Sequence, residues 1–265
     1  MLYFVSTPIG NLKDISYRAV ETLKEVDVIL CEDTRHSLKL LEHYGIKKPL
    51  ISYHKYNEKE RLNEIYDMIT SGKNIAVISD AGTPVISDPG NVLTAFLREK
   101  EVDYTVIPGA TAFAPALILS GLSAGNFTFI GFLPEKLKDK DLLIKNYSEI
   151  KSTLIFYSAP HDVNKDIEYL YKKLGNRKVS VVKEITKIHE TTYIGNLESL
   201  QIENPKGEFV IVVEGCTENK QFDISEKEHI ELYLKEGLSK KEAIKRVAED
   251  RNVPKNSLYK YTIEN

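Results

Sequence analysis

The sequence predicts an α/β protein with two α/β/α domains, the first built on a mostly parallel sheet and the second on a mixed sheet, followed by a small helical tail. Over the first 120 residues, unbroken apolar runs alternate with segments of helical periodicity, which is typical of a parallel sheet covered on both faces. After the turn-rich segment 118–126, apolar runs follow one another without a helix, which indicates antiparallel pairing. We expect an N-terminal domain at 1–120, a second domain at 121–222 and a tail at 223–265.

Five strands are predicted in the first domain, and helical stripes follow the first four of them. Gly45 and Gly72 end two of these helices, and Asn57 with Glu60 has the spacing of a capping box. The predicted strands lie within residues 2–6, 26–33, 49–54, 74–80 and 103–110, and the helices within 15–23, 38–44, 62–72 and 92–97.

The second domain carries five apolar runs, of which the last two come without an intervening helix. Beyond residue 225 the chain is polar and helical. Ser239 is predicted to cap a helix there, and a Val-Pro turn precedes a further helix with Tyr259, as in a helix-turn-helix. The apolar runs lie within 126–134, 153–160, 178–186, 192–197 and 207–215. The apolar face of the tail is Ala243, Ile244, Val247 and Ala248, and its basic residues are Lys235, Lys240, Lys241, Lys245, Arg246, Arg251, Lys255 and Lys260.

Composition excludes several classes of protein. With 42% hydrophobic and 28% charged residues, the chain is expected to be globular. The formal net charge of −3 gives no general attraction to nucleic acid, so binding to nucleic acid needs a local basic surface. The basic tail is a candidate for that surface; the alternative is that the tail is only a structural helical hairpin. Cys31 and Cys216 are expected to be buried thiols. We expect a cytoplasmic protein without a signal peptide or a membrane span, since the opening residues lack a basic leader and no apolar run approaches about 18 residues.

Unusual turns follow all five strands of the first domain. They are STPIGN (6–11), CEDTRHS (31–37), SYHKYNE (52–58), SDAGTP (79–84) and PGATA (108–112). Because ligands bind outside the carboxyl ends of parallel strands, these turns predict a shared site at one edge of the sheet.

The familiar phosphate, metal and hydrolase motifs are missing from this edge. There is no G-x-x-x-x-G-K-[ST] loop, the first turn has Gly10 as its single glycine, and there is no G-x-S-x-G elbow. The six histidines are scattered, so no metal site is predicted. The pocket, with Asp80 and the small residues Ala81, Gly82 and Ala110, suits a zwitterion with an adenosine end better than a polyphosphate.

Several motifs occur in the order expected of one family, namely the segments 6–41, SYHKYNE, SDAGTPVISDPG (79–90), VIPGATA, GFLP, YSAPH, VVKEITKIHE and GEFVIVVEG. On these residues the chain resembles the ribosomal small-subunit 2′-O-ribose methyltransferase I family, a branch of the tetrapyrrole (corrin/porphyrin) methylase superfamily. The resemblance implies a tetrapyrrole methylase-like fold, S-adenosylmethionine as the methyl donor, and a homodimer. It also implies a cytidine ribose in small-subunit (16S) ribosomal RNA, free or in the assembled small subunit, as the acceptor.

The resemblance also implies positions for the cofactor. Asp80 to Thr83 would form one wall, and residues 84–90 would be the turn that returns the chain into the next helix. The implied cofactor-binding residues are Pro8, Asp80, Ala81, Gly82, Thr83, Ala110, Thr111, Tyr157, Pro160 and Gly207.

Methyl transfer to a ribose hydroxyl requires a base, or a cation that stabilises the developing alkoxide. We expect Glu184 and Lys187, together with Glu32 and Arg35, near the acceptor; structural ion pairs are the alternative. Residues 184 and 187 would point to opposite faces of a strand, so they converge only if the strand has ended.

Two further functions stay open at this point. The same fold and cofactor serve a tetrapyrrole or a diphthine-type acceptor, and a non-catalytic RNA-binding protein of ribosome assembly would depend on the tail alone.

Overall fold

The computed structural model describes residues 1–217, 224–251 and 253–262. They belong to two compact units, Met1–Gly215 and Cys216–Asn265. The first unit contains two five-stranded sheets, and the second contains the C-terminal helices. The predicted boundary between residues 222 and 223 lies outside the described residues, and the predicted division at residue 120 stays a prediction.

The first sheet is parallel throughout, as the apolar runs predict, and its strand order is β3-β2-β4-β1-β5. Since β1 lies between β4 and β5, the loops that leave these three strands emerge side by side at the carboxyl edge. The strands are β1 Leu2–Val5, β2 Val28–Cys31, β3 Leu50–Ser52, β4 Ile75–Ile78 and β5 Tyr104–Ile107.

Helices cover both faces of this sheet. Alternate residues of β1 enter opposite cores: Val5 packs with Ala19 and Leu23 on one face, and Phe4 packs with Leu93 on the other. The helices are α1 Tyr17–Glu25, α2 Thr34–His43, α3 Glu58–Thr70, α4 Asn91–Glu99 and α5 Phe113–Ser120, with a short 3₁₀ turn at Leu12–Asp14.

Side-chain caps begin two of these helices. Ser16 Oγ accepts the Ala19 N–H at 3.1 Å, and Asp33 Oδ1 accepts the Arg35 N–H at 2.8 Å. The capping box predicted for Asn57 is wrong. Asn57 Oδ1 accepts the N–H of His54, and Asn57 Nδ2 donates to the Ser52 carbonyl, so this side chain closes the turn before α3 instead.

The second sheet is mixed, with the order β6-β7-β10-β8-β9. Strands β6 and β7 are parallel, whereas β10 runs antiparallel to both of its neighbours, and β8 and β9 form an antiparallel pair. One face packs on α7 and the other on α5, whose Ala116 and Leu117 contact Ile155, Val182 and Val210. The elements are β6 Phe127–Phe132, α6 Leu137–Lys145, β7 Thr153–Ser158, α7 Val163–Leu174, β8 Lys178–Lys183, β9 Thr191–Asn196 and β10 Phe209–Val213.

The second compact unit consists of helices α8 Glu226–Lys235, α9 Lys240–Arg251 and α10 Lys255–Leu258, which continues into a 3₁₀ turn at Tyr259–Thr262. Ser225 and Glu228 form a capping box for α8, and Ser239 caps α9, as predicted. The predicted apolar face of α9 is buried against α8 and α10. In the described part of the chain, no helix has the length and apolar character that a membrane crossing requires.

Candidate functional site

Three loops at the carboxyl edge of the first sheet are fastened to one another. Thr7 and Gly82 exchange backbone hydrogen bonds of 2.8 and 3.1 Å, which joins the loop after β1 to the loop after β4. Thr83 Oγ1 donates to the Ala110 carbonyl at 3.1 Å and lies 2.9 Å from Ser6 Oγ, which adds the loop after β5. The three loops therefore form a single wall.

Glycine is required where these loops touch. Gly82 has a φ of 84°, and a Cβ there would lie 3.2 Å from Ile9 Cγ2. A Cβ on Gly109 would lie 2.8 Å from Ser6 Cβ, closer than real Cβ atoms approach. A side chain at either position would force the neighbouring residue to shift.

A cavity of about 410 Å³ lies against this wall, within the size range of small-molecule sites. The loops at the ends of β6, β7 and β8 and the start of β10 contribute its opposite side. It is lined by Ile9, Asp80, Ala81, Gly82, Thr83, Ile86, Ser87, Asp88, Thr111, Ala112, Phe132, Tyr157, Ser158, Ala159, Pro160, Ile185, Glu208, Phe209 and Val210.

Most of the residues that the resemblance implied for the cofactor meet in this cavity. Those that line it are Asp80, Ala81, Gly82, Thr83, Thr111, Tyr157 and Pro160. The other three directly precede lining residues in the chain: Pro8 precedes Ile9, Ala110 precedes Thr111, and Gly207 precedes Glu208. That these residues bind a cofactor stays a prediction.

Asp88 is the lining residue whose chemistry the sequence reasoning missed. Residues 84–90 were expected to be only a turn, yet Val85 and Ser87 have φ values of 77° and 67°, a left-handed backbone that is rare for a β-branched residue such as valine. Such strained turns cluster at functional sites. The sequence did carry a signal for Asp88, because the Ser-Asp pair at 79–80 recurs at 87–88.

Asp88 belongs to a group of three carboxylates, with Glu32 and Asp80. Burial, and after it the charges of Glu32 and Asp80, raise the pKa of Asp88 from 3.8 to about 6 against the opposing effect of a hydrogen bond from Ser79. The pKa of Glu32 is also raised, mainly by burial and then by Asp80. Among residues 1–217, none of the three carboxylates forms an ion pair.

The structure brings Glu184 and Lys187 together. Strand β8 ends at Lys183, and Glu184 and Thr186 have positive φ values of 52° and 66°. Residues 184 and 187 therefore lie in a turn and are not held on opposite faces of a strand. Lys187 Nζ lies 2.8 Å from both Glu184 Oε1 and Glu208 Oε2. Glu184 Oε1 also accepts the Glu208 N–H at 3.0 Å.

This bonding sets the protonation state of Glu184. Burial by itself would raise the pKa of its carboxyl, but the hydrogen bonds from Lys187 and from the Glu208 backbone outweigh burial and lower it. Through Glu208, the cluster reaches the cavity.

Glu32 and Arg35 are not brought to that cluster. Arg35 is exposed and pairs with Asp33 at 3.1 Å, which holds the pKa of Asp33 at about 2. Glu32 instead lies near Asp80 and His54. Among residues 1–217, no hydrogen bond or ion pair joins Glu32 or Arg35 to Glu184 or Lys187.

Within the described ranges, no group of three or more histidine, cysteine or acidic side chains is arranged to hold a metal ion.

Known proteins resemble this chain in both sequence and fold. A family model described as Tetrapyrrole (Corrin/Porphyrin) Methylases matches residues 1–201. A protein of Halalkalibacterium halodurans named ribosomal RNA small subunit methyltransferase I is 42% identical over 97% of this chain and 93% of its own length. The protein of that name from Bacillus subtilis is 41% identical over 98% of this chain and 92% of its own length.

Two solved structures share the fold at low sequence identity. A diphthine synthase matches with a TM-score of 0.65 and 17% identity over 81% of this chain and 89% of its own. The uroporphyrin-III-C-methyltransferase of Thermus thermophilus matches with a TM-score of 0.57 and 18% identity over 80% of this chain and 93% of its own.

Proposed function

The chain is a methyltransferase of the tetrapyrrole (corrin/porphyrin) methylase family, and from this premise we propose that it uses S-adenosylmethionine to 2′-O-methylate a cytidine ribose in small-subunit (16S) ribosomal RNA. The relatives named ribosomal RNA small subunit methyltransferase I support the RNA acceptor, since two of them match 97% and 100% of this chain at 42% and 41% identity. The donor and the position of the methyl group are further parts of the proposal.

The observation that carries the proposal is the character of the cavity. Carboxylates of Asp80, Asp88 and Glu208 line it, and none of its described lining residues is a lysine or an arginine. Such a surface favours a cationic ligand over a phosphate chain. Apolar side chains, among them Phe132 and Val210, offer contacts to an adenine ring.

The residues of the cavity fit S-adenosylmethionine, which supplies a methyl group on a positively charged sulfur when bound. Asp80 and Asp88 would hold its positive charges, and the tight loops at Gly82 and Ala110 would let its methionine part approach the backbone. Tyr157 and Pro160 would contact the adenosine from the opposite side.

A carboxylate accepts the ribose proton more readily when its pKa is raised above its ordinary value. Glu32 is a better candidate than Glu184, because the pKa of Glu32 is raised whereas that of Glu184 is lowered by its bonds. We therefore propose Glu32 as the proton acceptor. Lys187, which is bound to Glu184 beside the cavity, is the alternative to a base, because its positive charge would stabilise the developing alkoxide.

Methylation of isolated small ribosomal subunits by the purified protein tests the proposal. Donor labelled in its methyl group should transfer label to 16S RNA, and ribose-methylation mapping should show one modified cytidine that is absent in cells lacking the protein. Label on a base, on a ribosomal protein or on no component of the subunit would contradict the proposed acceptor.

Calorimetric titration with S-adenosylmethionine separates the remaining alternatives. Absence of binding would leave only the non-catalytic assembly function, whereas binding together with methylation of an added tetrapyrrole or of a diphthine-type acceptor would favour the other enzymatic functions. We also propose a cytoplasmic homodimer; light scattering of the purified protein tests the oligomeric state.

A further inference from the structure

Two tyrosine side chains at the carboxyl edge of the first sheet are almost fully exposed. Tyr17 is 92% exposed at the first position of α1, and Tyr56 is 91% exposed in the turn before α3. Among the described residues, no other aromatic side chain with such exposure is found; Phe132 follows at 55%. An aromatic ring left in water forgoes the large burial that usually stabilises it, so two of them on one edge need an explanation.

Hydrogen bonds join the segments around both tyrosines to residues next to the cavity lining. The segment before Tyr17 contacts the turn that follows β8, because Thr186 Oγ1 donates to Asp14 Oδ2. The loop of Tyr56 leads into Glu58, whose Oε2 accepts the Gly90 N–H at 3.2 Å, directly beyond the cavity-lining segment that ends at Asp88.

The strand order separates the strands that precede the two tyrosines. Tyr17 follows β1 and Tyr56 follows β3, and β4 and β2 lie between these strands. Three strand spacings separate β1 from β3 by roughly 14 Å, which is the scale of a few nucleotides. The loop after β4, which contributes Asp80 and Asp88 to the cavity, emerges between them.

Positive charges accompany both rings. Arg18 directly follows Tyr17, Lys13 lies four residues before it, and Lys55 precedes Tyr56; all three side chains are exposed. None of them forms an ion pair within residues 1–217, whereas Arg35 nearby is neutralised by Asp33. An aromatic ring next to an unpaired cation, repeated at two places along one edge of the sheet, is the chemistry that binds a single nucleic-acid strand.

We propose that Tyr17 and Tyr56 stack on unpaired bases of the RNA strand whose ribose reaches the cavity, while Lys13, Arg18 and Lys55 contact the adjoining phosphates. The inference rests on the proposed function, which supplies the RNA acceptor. It adds that the acceptor must be presented in a single-stranded segment, because bases inside a duplex are stacked on each other and their faces cannot reach the rings.

Tryptophan substitution gives a direct readout, because the chain contains no tryptophan. Tyr17→Trp and Tyr56→Trp each introduce a single exposed indole, and Ile194→Trp, at a side chain that is 74% exposed on the edge strand β9, is the matched control. The full-length variants are titrated with an oligocytidylate of about 12 nucleotides and with an RNA duplex of similar length.

Indole fluorescence should be quenched by the single strand in both tyrosine variants and unchanged in the Ile194→Trp control. The duplex should produce no quenching at either tyrosine position. Quenching no stronger than in the control, or equal quenching by duplex and single strand, would overturn the inference. A protein partner at these rings would be indicated by quenching with ribosomal proteins and none with RNA, and this result overturns it as well.

Affinity measurements distinguish stacking from a structural role. Tyr17→Ala and Tyr56→Ala should each weaken binding of the labelled oligocytidylate about 5- to 150-fold, while the phenylalanine variants bind like the wild type. Affinity for S-adenosylmethionine should not change. If the alanine variants bind and methylate RNA normally, the stacking inference alone is refuted. If the wild-type protein binds single strands through these rings but never methylates RNA, the proposed function alone is refuted.

Discussion

Replacement of Asp88 by asparagine is expected to stabilise the protein at neutral pH. Burial and then the neighbouring carboxylates Glu32 and Asp80 raise the pKa of Asp88 from 3.8 to about 6, despite a hydrogen bond from Ser79. The folded chain therefore holds this proton more tightly than the unfolded chain does. Ionisation of Asp88 at neutral pH opposes folding, and asparagine, which has nearly the same shape and no charge, avoids this opposition.

The size and the pH window of the effect follow from the two pKa values. Between pH 3.8 and about 6 the folded state binds more protons at Asp88 than the unfolded state, so stability falls as the pH rises through this window and stays reduced above it. At 1.36 kcal/mol for each pKa unit, the destabilisation is about 3 kcal/mol near pH 8 and roughly half of that near pH 5.

Urea unfolding of the wild type and of Asp88→Asn at these two pH values measures the difference. The advantage of the variant in free energy of unfolding should roughly double from the lower to the higher pH. Asp67→Asn, at an exposed position on α3, is the control and should show no such trend. A difference that does not change with pH, or a variant less stable than the wild type at the higher pH, would show that Asp88 is not held as a strained carboxylate.

Four further outcomes are expected. Asp80→Ala should weaken S-adenosylmethionine binding in calorimetry, since it removes a cavity carboxylate, and unchanged affinity would remove it from the site. Glu184→Gln should lower turnover more than donor affinity, because it removes the carboxylate charge that is bound to Lys187; normal turnover would exclude a role in the reaction. Gly10→Ala should lower turnover similarly, because its Cβ would overlap the Lys187 side chain, and a wild-type rate would show that the position of this lysine is unimportant. Deletion of residues 216–265 should weaken RNA binding and spare donor binding, both measurable by titration; unchanged RNA affinity would make this unit purely structural.

The sequence is sufficient to predict the first sheet and the meeting of its loops. Unbroken apolar runs separated by helices leave a parallel sheet as the consistent arrangement, and the carboxyl ends of parallel strands share one edge. The meeting of the loops after β1, β4 and β5 follows from that geometry, although their immediate adjacency depends on a strand order that no local pattern encodes.

Helix α5 was missed, since residues 118–126 were expected to form a linker. Its sequence, FAPALILS, is apolar on all sides, so it lacks the periodicity that reveals a surface helix. The reason for this composition is tertiary: Ala116 and Leu117 are buried against strands of the second sheet, which are distant in sequence.

The repeated tetrapeptide Val-Ile-Ser-Asp shows why Asp88 was not recognised. The first copy, residues 77–80, begins in strand β4, which ends at Ile78, whereas Val85 and Ser87 of the second copy adopt positive φ. Identical local sequences thus have different conformations, and contacts with the surrounding loops decide between them. The pairing of Glu184 with Lys187 depended in the same way on the residue at which β8 ends.

The position of β10 has a consequence for the order in which the nascent chain acquires its structure. Strands β6 and β7, and likewise β8 and β9, can associate early as two separate ribbons, but the strand that joins them is the last one to be synthesised. Two-stranded ribbons are marginally stable in water and expose edges that invite pairing with other chains. The parallel sheet can assemble as soon as residue 107 has been translated, whereas the second sheet must wait for residue 213, and a chain truncated between these points would be prone to aggregate.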